Sequence, residues 1–402
     1  MIIKTIEFFR NIRNFTLRII GNNCPKNKKL VLFGALNGQY YGDNAKYLFE
    51  WVVANNKEIR AVWITRNKEV LHQLRAANLP VAMANSWRGY WLLCQANVAV
   101  FTNRLHDFSQ HADSVPNNIK LLALRHGRSV KRIRFASVKQ KLNDREKNER
   151  LKEKRLIKYA ISTSEFISDI QEECLKIGRE KHIVTGYPRN DYLSMATVTP
   201  NTAIAPLFDT NRKVILYGPS WRHGRSPTQF FPFKDFNEKQ LVTFLRDHKY
   251  LLLLRPHFND LKKYSSIRQF LQQLAQYRDC IRLATHDQVA DVNTLLPYID
   301  LLISDYSALY HDYLLLDRPI IFIPYDYEEF NLQNGFLYDY FANLPGPAIT
   351  TFNQLIQYLI TISNGEDPHR IERSNLRDKI HAYQDNKSCF RVTETLKKIV
   401  NS

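Results

Sequence analysis

Residues that could hold phosphate or move a proton follow an apolar run at 121–124. His126 and Gly127 come first, and Arg128 and Lys131 lie just beyond them. Histidine can accept a proton near neutral pH, glycine lets the backbone turn closely beside a ligand, and basic side chains hold anions. The pattern predicts a catalytic base next to an anion-binding loop, with an exposed basic turn as the structural alternative.

A second histidine stands in the same kind of position. Arg255 and His257 directly follow an apolar run at 250–254, and Arg222 follows another run at 214–217. Arginine can neutralise a pyrophosphate and histidine can transfer a proton. These residues are predicted to face a phosphate-containing ligand, whereas a purely structural strand-end histidine is the alternative.

The turn after the apolar run at 301–304 is a predicted phosphate site. Serine and aspartate are good helix N-caps, and free backbone N–H groups at a helix start attract phosphate. An ordinary capped helix is the alternative interpretation. The residues concerned are Ser304, Asp305, Tyr306 and Ser307.

Short apolar strands that alternate with helices must position these motifs. Such alternation predicts a mostly parallel sheet covered on both faces. In the first half, strands are predicted at 30–36, 59–65, 81–84, 98–102, 121–124, 160–164 and 182–186, with helices at 44–53 and 87–93. In the second half, strands are predicted at 214–217, 250–254, 281–283, 301–304 and 320–323, with helices at 238–246, 264–275, 289–296, 308–316, 352–362 and 371–399.

A stretch without clear periodicity, 194–212, separates the two halves. The predicted fold class is therefore α/β, with two Rossmann-like domains facing a cleft. Ligands of open α/β sheets bind beyond the carboxyl ends of the strands, so the motifs should meet in that cleft. The predicted divisions of the chain are 1–27, 28–200, 201–385 and 386–402.

The net charge of +18 is concentrated in two segments. Residues 1–30 hold seven basic and one acidic side chain, and residues 121–160 hold fourteen basic and four acidic ones. Localised positive charge indicates an anionic partner, either a membrane, a phosphorylated substrate or nucleic acid. A general solubilising charge bias is the alternative.

The N-terminal segment has the spacing of one helix face, formed by Phe8, Ile12, Phe15 and Ile19. Basic residues lie off that face, and the chain has no apolar run of about 18 residues that could span a membrane. A basic amphipathic helix of this kind can lie in a membrane interface. Packing on the protein's own core is the other possibility.

The sequence motifs of several enzyme classes are absent. The sequence has no GxGxxG, Walker, HExxH or GxSxG pattern, which argues against NAD chemistry, P-loop hydrolysis, zinc proteolysis and α/β-hydrolase chemistry. The five cysteines are scattered, as is typical of reduced thiols in a cytoplasmic protein. No metal-ligand spacing is present, so no bound cofactor or metal is expected and metal dependence stays open.

Taken together, the motifs resemble the CDP-glycerol glycerophosphotransferase family, which makes teichoic acid and capsule poly(alditol phosphate) polymers and has a GT-B fold. The family's loop reads His-Gly-Thr-Pro-Leu-Lys, and residues 126–131 keep its His, Gly and Lys. Ala308 stands where many members have a second serine after Asp-Tyr-Ser. The most specific stretch is 303–330, and further matches lie at 34–51, 186–191 and 217–224.

The resemblance implies transfer of glycerol phosphate or ribitol phosphate from CDP-glycerol or CDP-ribitol to a hydroxyl of a cell-surface glycopolymer, with release of CMP. It implies two catalytic residues, His126 as the base and His257. The first domain would bind a lipid-linked or polymer acceptor through Gly127, Arg128 and Lys131. The second would bind the donor through Arg222, Arg255, Ser304, Asp305, Tyr306 and Ser307. Such an enzyme would work peripherally at the cytoplasmic face of the membrane, and its C-terminal helix would return toward the first domain.

Two other functions stay open. A GT-B glycosyltransferase with a nucleotide-sugar donor would share the fold but release a nucleoside diphosphate. A non-enzymatic binder of membrane or nucleic acid would use the basic segments and leave the strand-end motifs without a role. Nucleic acid is not the expected partner.

Overall fold

The computed structural model describes residues 2–127, 130–137, 143–195, 200, 204–208, 211–222 and 226–402, with side chains described from residue 12 onward apart from residue 195. Two parallel sheets organise these residues. Most strands contain a short apolar run that is buried on both faces, as the run Leu30–Phe33 illustrates. The predicted α/β class with two Rossmann-like domains is therefore confirmed.

Among the described residues, the first sheet has seven parallel strands in the order β3-β2-β1-β4-β5-β6-β7. Val31 lies at its centre, paired with Ala61 on one side and Val98 on the other. The strands are β1 Asn27–Gly34, β2 Arg60–Thr65, β3 Val81–Met83, β4 Ala96–Phe101, β5 Lys120–Ala123, β6 Ile157–Ser162 and β7 His182–Val184.

Five parallel strands form the second sheet in the described part of the chain, in the order β10-β9-β8-β11-β12. Tyr217 pairs with Leu254 and Ile303 across its centre. The strands are β8 Lys213–Tyr217, β9 Tyr250–Leu254, β10 Ile281–Leu283, β11 Leu301–Ser304 and β12 Ile320–Phe322.

Helices cover both sheets. In the first half they are α1 Ile2–Asn23, α2 Asp43–Asn55, α3 Lys68–Ala76, α4 Trp87–Gln95, α5 Asp144–Leu156, α6 Glu165–Leu175 and α7 Asp191–Met195. In the second half they are α8 Glu238–Asp247, α9 Phe258–Lys263, α10 Ser265–Leu274, α11 Leu309–Tyr313, α12 Tyr327–Asn334, α13 Phe352–Ser363, α14 Arg370–Ile380 and α15 Ser388–Asn401.

Two predicted helices differ from the structure. The segment predicted at 289–296 forms two 3-10 turns, because Asp291 accepts a hydrogen bond from Asn293 N at 3.0 Å and a proline follows at position 297. The stretch predicted to be helical at 371–399 forms two helices, α14 and α15. Asp385 fixes the break by accepting a hydrogen bond from Lys387 N at 3.1 Å.

The chain ends on the first domain. Val392, Leu396 and Ile399 of α15 pack in the same apolar cluster as residues of β1 and β4. The Asp191 carboxylate accepts hydrogen bonds from Ser388 N at 2.9 Å and Cys389 N at 2.7 Å. These bonds attach the first turn of α15 to the end of the first domain.

Candidate active site

The carboxyl ends of both sheets face a cleft between the domains, with a cavity volume of about 530 Å³. This is where open α/β sheets bind their ligands. Of the residues predicted from sequence, the cleft lining includes His126, Gly127, His257 and Ser307.

An aspartate that the sequence analysis did not single out orients His126. Asp43 begins α2, and its Oδ2 lies 2.5 Å from Nδ1 of His126. Because the carboxylate is an acceptor, Nδ1 carries the shared proton and Nε2 is left able to accept one. The imidazole is 58% exposed, so Nε2 is accessible from the cleft.

The charge of Asp43 is fixed by its neighbours. Burial alone would raise the pKa of this carboxyl, but His126 and Arg189 outweigh that effect and lower the pKa to about 2. Arg189 Nη1 lies 2.9 Å from Asp43 Oδ1, and the backbone N–H of Asn44 donates to the same oxygen at 2.7 Å. Asp43 is therefore ionised at neutral pH and can stabilise a protonated imidazole.

The backbone directly after His126 favours glycine. Gly127 has a φ of +81°, and a Cβ at this position would lie 2.8 Å from Nη2 of Arg189. The preceding turn is held by Asn44, whose Nδ2 donates to the carbonyl oxygen of Arg125 at 2.9 Å. The Asn44 side-chain oxygen also accepts a hydrogen bond from Arg189 N at 3.2 Å. These contacts fix the position of His126 in the cleft.

His257 enters the cleft from the second domain as a neutral hydrogen-bond donor. Its ring stacks on Trp221, with centroids 4.8 Å apart, and its Nδ1 accepts a hydrogen bond from Asn259 N at 3.3 Å. Burial, with the charges of His286 and Lys131, lowers the pKa of His257 to about 4. In the neutral ring the remaining proton lies on Nε2.

Four of the predicted donor residues are held in place by hydrogen bonds beside the cleft. Arg222 donates to the Asp326 carboxylate at 2.7 and 2.9 Å and to Asp305 Oδ2 at 2.7 Å. Tyr306 Oη donates to Asp326 Oδ1 at 3.2 Å, and Ser304 Oγ donates to a backbone oxygen at 2.9 Å. The structure thus brings these residues together as the support of a turn, with Arg222 already paired to two carboxylates.

Arg255 supports the neighbouring loop. Its Nη1 and Nη2 donate to the carbonyl oxygens of Ala284 at 3.0 Å and Val289 at 2.8 Å. Burial lowers the pKa of Arg255 to about 10, which leaves it cationic at neutral pH. The loop it holds carries His286, another residue of the cleft lining.

The remaining predicted residues occupy three different settings. Ser307 Oγ accepts a hydrogen bond from Leu309 N at 3.3 Å, where α11 begins. Lys131 lies on a segment that crosses to the second domain, where it forms a β-bridge with Phe336. Arg128 lies outside the described residues.

A chain of ion pairs connects His126 to the second domain. Arg189 pairs with Asp43 and also places Nη2 2.6 Å from Oδ2 of Asp312. All three side chains are buried. Tyr47 Oη adds a second link between the domains by donating to Asp291 Oδ2 at 2.8 Å. The position of His126 therefore depends on contacts with the other domain.

Comparison with known proteins defines the class to which this fold and site belong. Residues 17–398 match the family described as CDP-glycerol:poly(glycerophosphate) glycerophosphotransferase, so the chain belongs to that family. The family and class of enzyme expected from the sequence motifs are confirmed.

Individual relatives agree with this assignment. The chain is 26% identical to a teichoic acid glycerol-phosphate transferase of Staphylococcus aureus (strain NCTC 8325 / PS 47), over 92% of this chain and 93% of the relative. It is 24% identical to a teichoic acid poly(glycerol phosphate) polymerase of Bacillus subtilis (strain 168), over 95% of this chain but 50% of that protein. The fold is similar to that of the wall teichoic acid polymerase TagF, with a TM-score of 0.74 at 21% identity over 100% of this chain and 98% of that one.

Proposed function

We propose that the protein transfers glycerol phosphate or ribitol phosphate from a CDP-alditol to a hydroxyl of a teichoic acid or capsule glycopolymer. In this reaction the acceptor oxygen bonds to the β-phosphorus of the donor. The bond from that phosphorus to the bridging oxygen breaks, and CMP leaves with the electron pair. The acceptor proton passes to Nε2 of His126.

The hydrogen bond between Asp43 and His126 is the observation that carries this proposal. A carboxylate on Nδ1 gives the imidazole a free basic nitrogen and stabilises the imidazolium that proton transfer creates. His257 stands in the same cleft with an N–H that can donate to a phosphoryl oxygen. A base and a neutral donor in one cleft suit attack of a hydroxyl on a phosphorus centre.

We assign the donor to the second domain and the acceptor to the first. The donor pyrophosphate would lie over the turn that ends in Ser307 and beside His257, with Arg255 supplying positive charge. Arg222, Ser304, Asp305 and Tyr306 would hold that turn in place. The acceptor would pass Gly127, Arg128 and Lys131 on its way to His126. Positioning and charge neutralisation would supply most of the rate enhancement.

The released nucleotide tests this function directly. The protein is incubated with a soluble glycopolymer acceptor and, in separate reactions, CDP-glycerol, CDP-ribitol, a UDP-sugar and a GDP-sugar. We expect CMP from at least one CDP-alditol and no turnover of the nucleotide sugars. Release of UDP or GDP with sugar transfer would instead identify a nucleotide-sugar glycosyltransferase.

We further propose that the protein works at the membrane surface. Among the described residues, no helix is both long and apolar enough to cross a membrane. Instead Ile12, Phe15 and Ile19 on α1 are 46%, 54% and 44% exposed, and Trp87 and Trp91 on the adjacent α4 are 90% and 56% exposed. Exposed apolar side chains and tryptophans beside basic residues suit insertion into an anionic membrane interface.

A further inference from the structure

Another pocket, with a mixed polar and apolar lining, lies in the first domain next to the segment that carries His126. Its polar lining residues are Arg125, Arg134, Arg150, Glu153 and Lys154, and the rest of the lining is apolar. Arg125 directly precedes His126 in the chain. The cavity volume is about 20 Å³, which is room for one water-sized group such as a single phosphate oxygen.

The nearby carboxylates are already engaged by other groups. Glu149 pairs with Arg104 at 2.6 Å and with Arg145 at 3.2 Å. Glu153 accepts a hydrogen bond from Leu105 N at 3.0 Å and lies 3.6 Å from Arg104. Neither carboxylate forms an ion pair with the arginines of the pocket.

The pocket arginines therefore lie together without an ion-pair partner among the described residues, and the charge of Glu153 in the same lining offsets only part of their repulsion. In the part of the chain that the structure describes, no carboxylate lies within ion-pair distance of Arg125, Arg134 or Arg150. Arg125 is only 6% exposed. Among the described residues, neither Nε of Arg125 nor Nε of Arg150 has a hydrogen-bond partner. Arg134 donates only to uncharged oxygens, the backbone and side-chain oxygens of Asn103, both at 3.2 Å.

This arrangement is unfavourable for the protein alone. Burial, followed by the charges of Arg125 and Arg150, lowers the pKa of Arg134 well below its usual value. Burial also lowers the pKa of Arg150, with a further contribution from Arg104. Buried charges in proteins are normally paired or ligated, because desolvation is otherwise uncompensated. A bound anion would remove the mutual repulsion of these guanidinium groups.

We propose that this pocket binds a phosphate oxyanion, separately from the donor cleft. Guanidinium groups offer planar pairs of N–H donors that match phosphate oxygens. The phosphate could come from a phosphodiester of the acceptor polymer or from free inorganic phosphate. Binding of an acceptor phosphodiester rests on the proposed function and would anchor the acceptor chain close to His126. Binding of free inorganic phosphate does not depend on the proposed function.

Inorganic phosphate is the probe for the site itself. Thermal unfolding of the full chain is followed as phosphate is titrated against chloride at constant ionic strength, for the wild type, Arg150→Gln and the control Arg155→Gln. Arg155 is exposed on the same helix, so its variant removes an equal charge outside the pocket. We expect phosphate to stabilise the wild type and Arg155→Gln, with affinity weakened about tenfold or more in Arg150→Gln.

A wild type that phosphate does not stabilise more than chloride would overturn the proposal, and so would equal phosphate affinity in the two variants. If Arg150→Gln does not fold, Arg134→Gln takes its place in the same comparison. These thermal unfolding measurements do not require the protein to catalyse any reaction. A phosphate effect in a protein that transfers nothing from CDP-alditols would therefore leave the site standing while the proposed function fails.

Initial rates distinguish the two sources. With CDP-glycerol and a soluble poly(glycerol phosphate) acceptor, a phosphodiester site predicts about a tenfold higher acceptor KM for Arg150→Gln, with the donor KM unchanged. An unchanged acceptor KM beside weakened phosphate binding would assign the pocket to free inorganic phosphate.

Discussion

At the residue scale, the interaction between Asp43 and His126 is what would allow His126 to act as the proposed base. The 2.5 Å contact holds one ring tautomer and leaves Nε2 free toward the cleft. Asp43 touches neither substrate in this account, so it is a positioning residue for His126. Its buried setting and paired oxygens give it little freedom to serve another purpose.

Replacing Asp43 by asparagine tests that role. Asp43→Asn keeps the shape but removes the charge that stabilises the imidazolium, so kcat should fall by at least about 100-fold with little change in donor KM. The kcat–pH profile should change as well, because the environment of the base is altered. Normal kcat and an unchanged profile in a folded variant would show that Asp43 is only structural.

His257 gives a pH dependence of stability with a definite sign. Its pKa falls from 6.5 to about 4 in the folded chain, so the unfolded chain takes up the proton first as the pH drops. The contribution of neutral His257 to the free energy of unfolding is fully present above pH 6.5. It is lost as the pH falls through about 4, by up to about 3 kcal/mol.

Urea unfolding across this pH range measures the effect. His257→Asn should flatten the loss of stability on acidification, whereas His72→Asn, at an exposed position, should keep the wild-type slope. Equal slopes in all three proteins would contradict the assignment of His257 as a half-buried, neutral histidine.

At the scale of secondary-structure elements, local sequence predicts the buried strands well. β9, β10 and β11 have the bounds that the sequence predicts, because strands buried on both faces are largely apolar. Helices held by tertiary contacts were less predictable. The segment after Asp291 has helical composition, yet its side-chain cap and Pro297 favour 3-10 turns.

The sequence predicted those residues of the candidate site that come soon after a strand. His126 and His257 are detectable because each comes soon after an apolar run. Asp43, Arg189 and Asp312 are far apart in sequence, and their pairing arises only when two domains meet. Asp43 and Arg189 lie within the family matches at 34–51 and 186–191, but neither match indicates which residue each would pair with.

Helix α1 yields a prediction about membrane binding. Phe15→Ser combined with Ile19→Ser should weaken binding to anionic liposomes by roughly tenfold or more, because exposed apolar area no longer enters the interface. Leu332→Ser combined with Ile371→Ser removes side chains that are 71% and 73% exposed elsewhere and should have little effect. Cosedimentation with vesicles measures both, and binding should fall as salt rises.

Deleting residues 1–22 should also weaken binding while transfer to a soluble acceptor survives. Failure of the intact protein to bind anionic liposomes at low salt would contradict the membrane proposal. Equal binding by the two double variants would show that the exposed face of α1 is not the contact surface.

At the scale of the whole molecule, Arg189 connects the second domain to Asp43, the partner of His126. Asp312→Asn breaks the link from the second domain while Asp43 keeps its partner. Loss of one member of a buried ion pair typically costs about 3–5 kcal/mol, so stability should fall. The distribution of distances between spin labels on the two domains should broaden, and kcat should decrease.

Asp247→Asn is the matched control, because Asp247 is exposed and lies away from the cleft. If Asp312→Asn leaves the interdomain distance and kcat as they are in the control, the ion-pair chain does not couple the domains.

The most direct test of the central claim is CMP release by wild type, His126→Ala and the exposed control His72→Ala, each checked for folding by circular dichroism. With CDP-glycerol or CDP-ribitol and a soluble acceptor, wild type and His72→Ala should release CMP at similar rates. His126→Ala should be slower by about 10²–10⁴-fold, the usual contribution of a general base. Undiminished CMP release by folded His126→Ala would contradict the account.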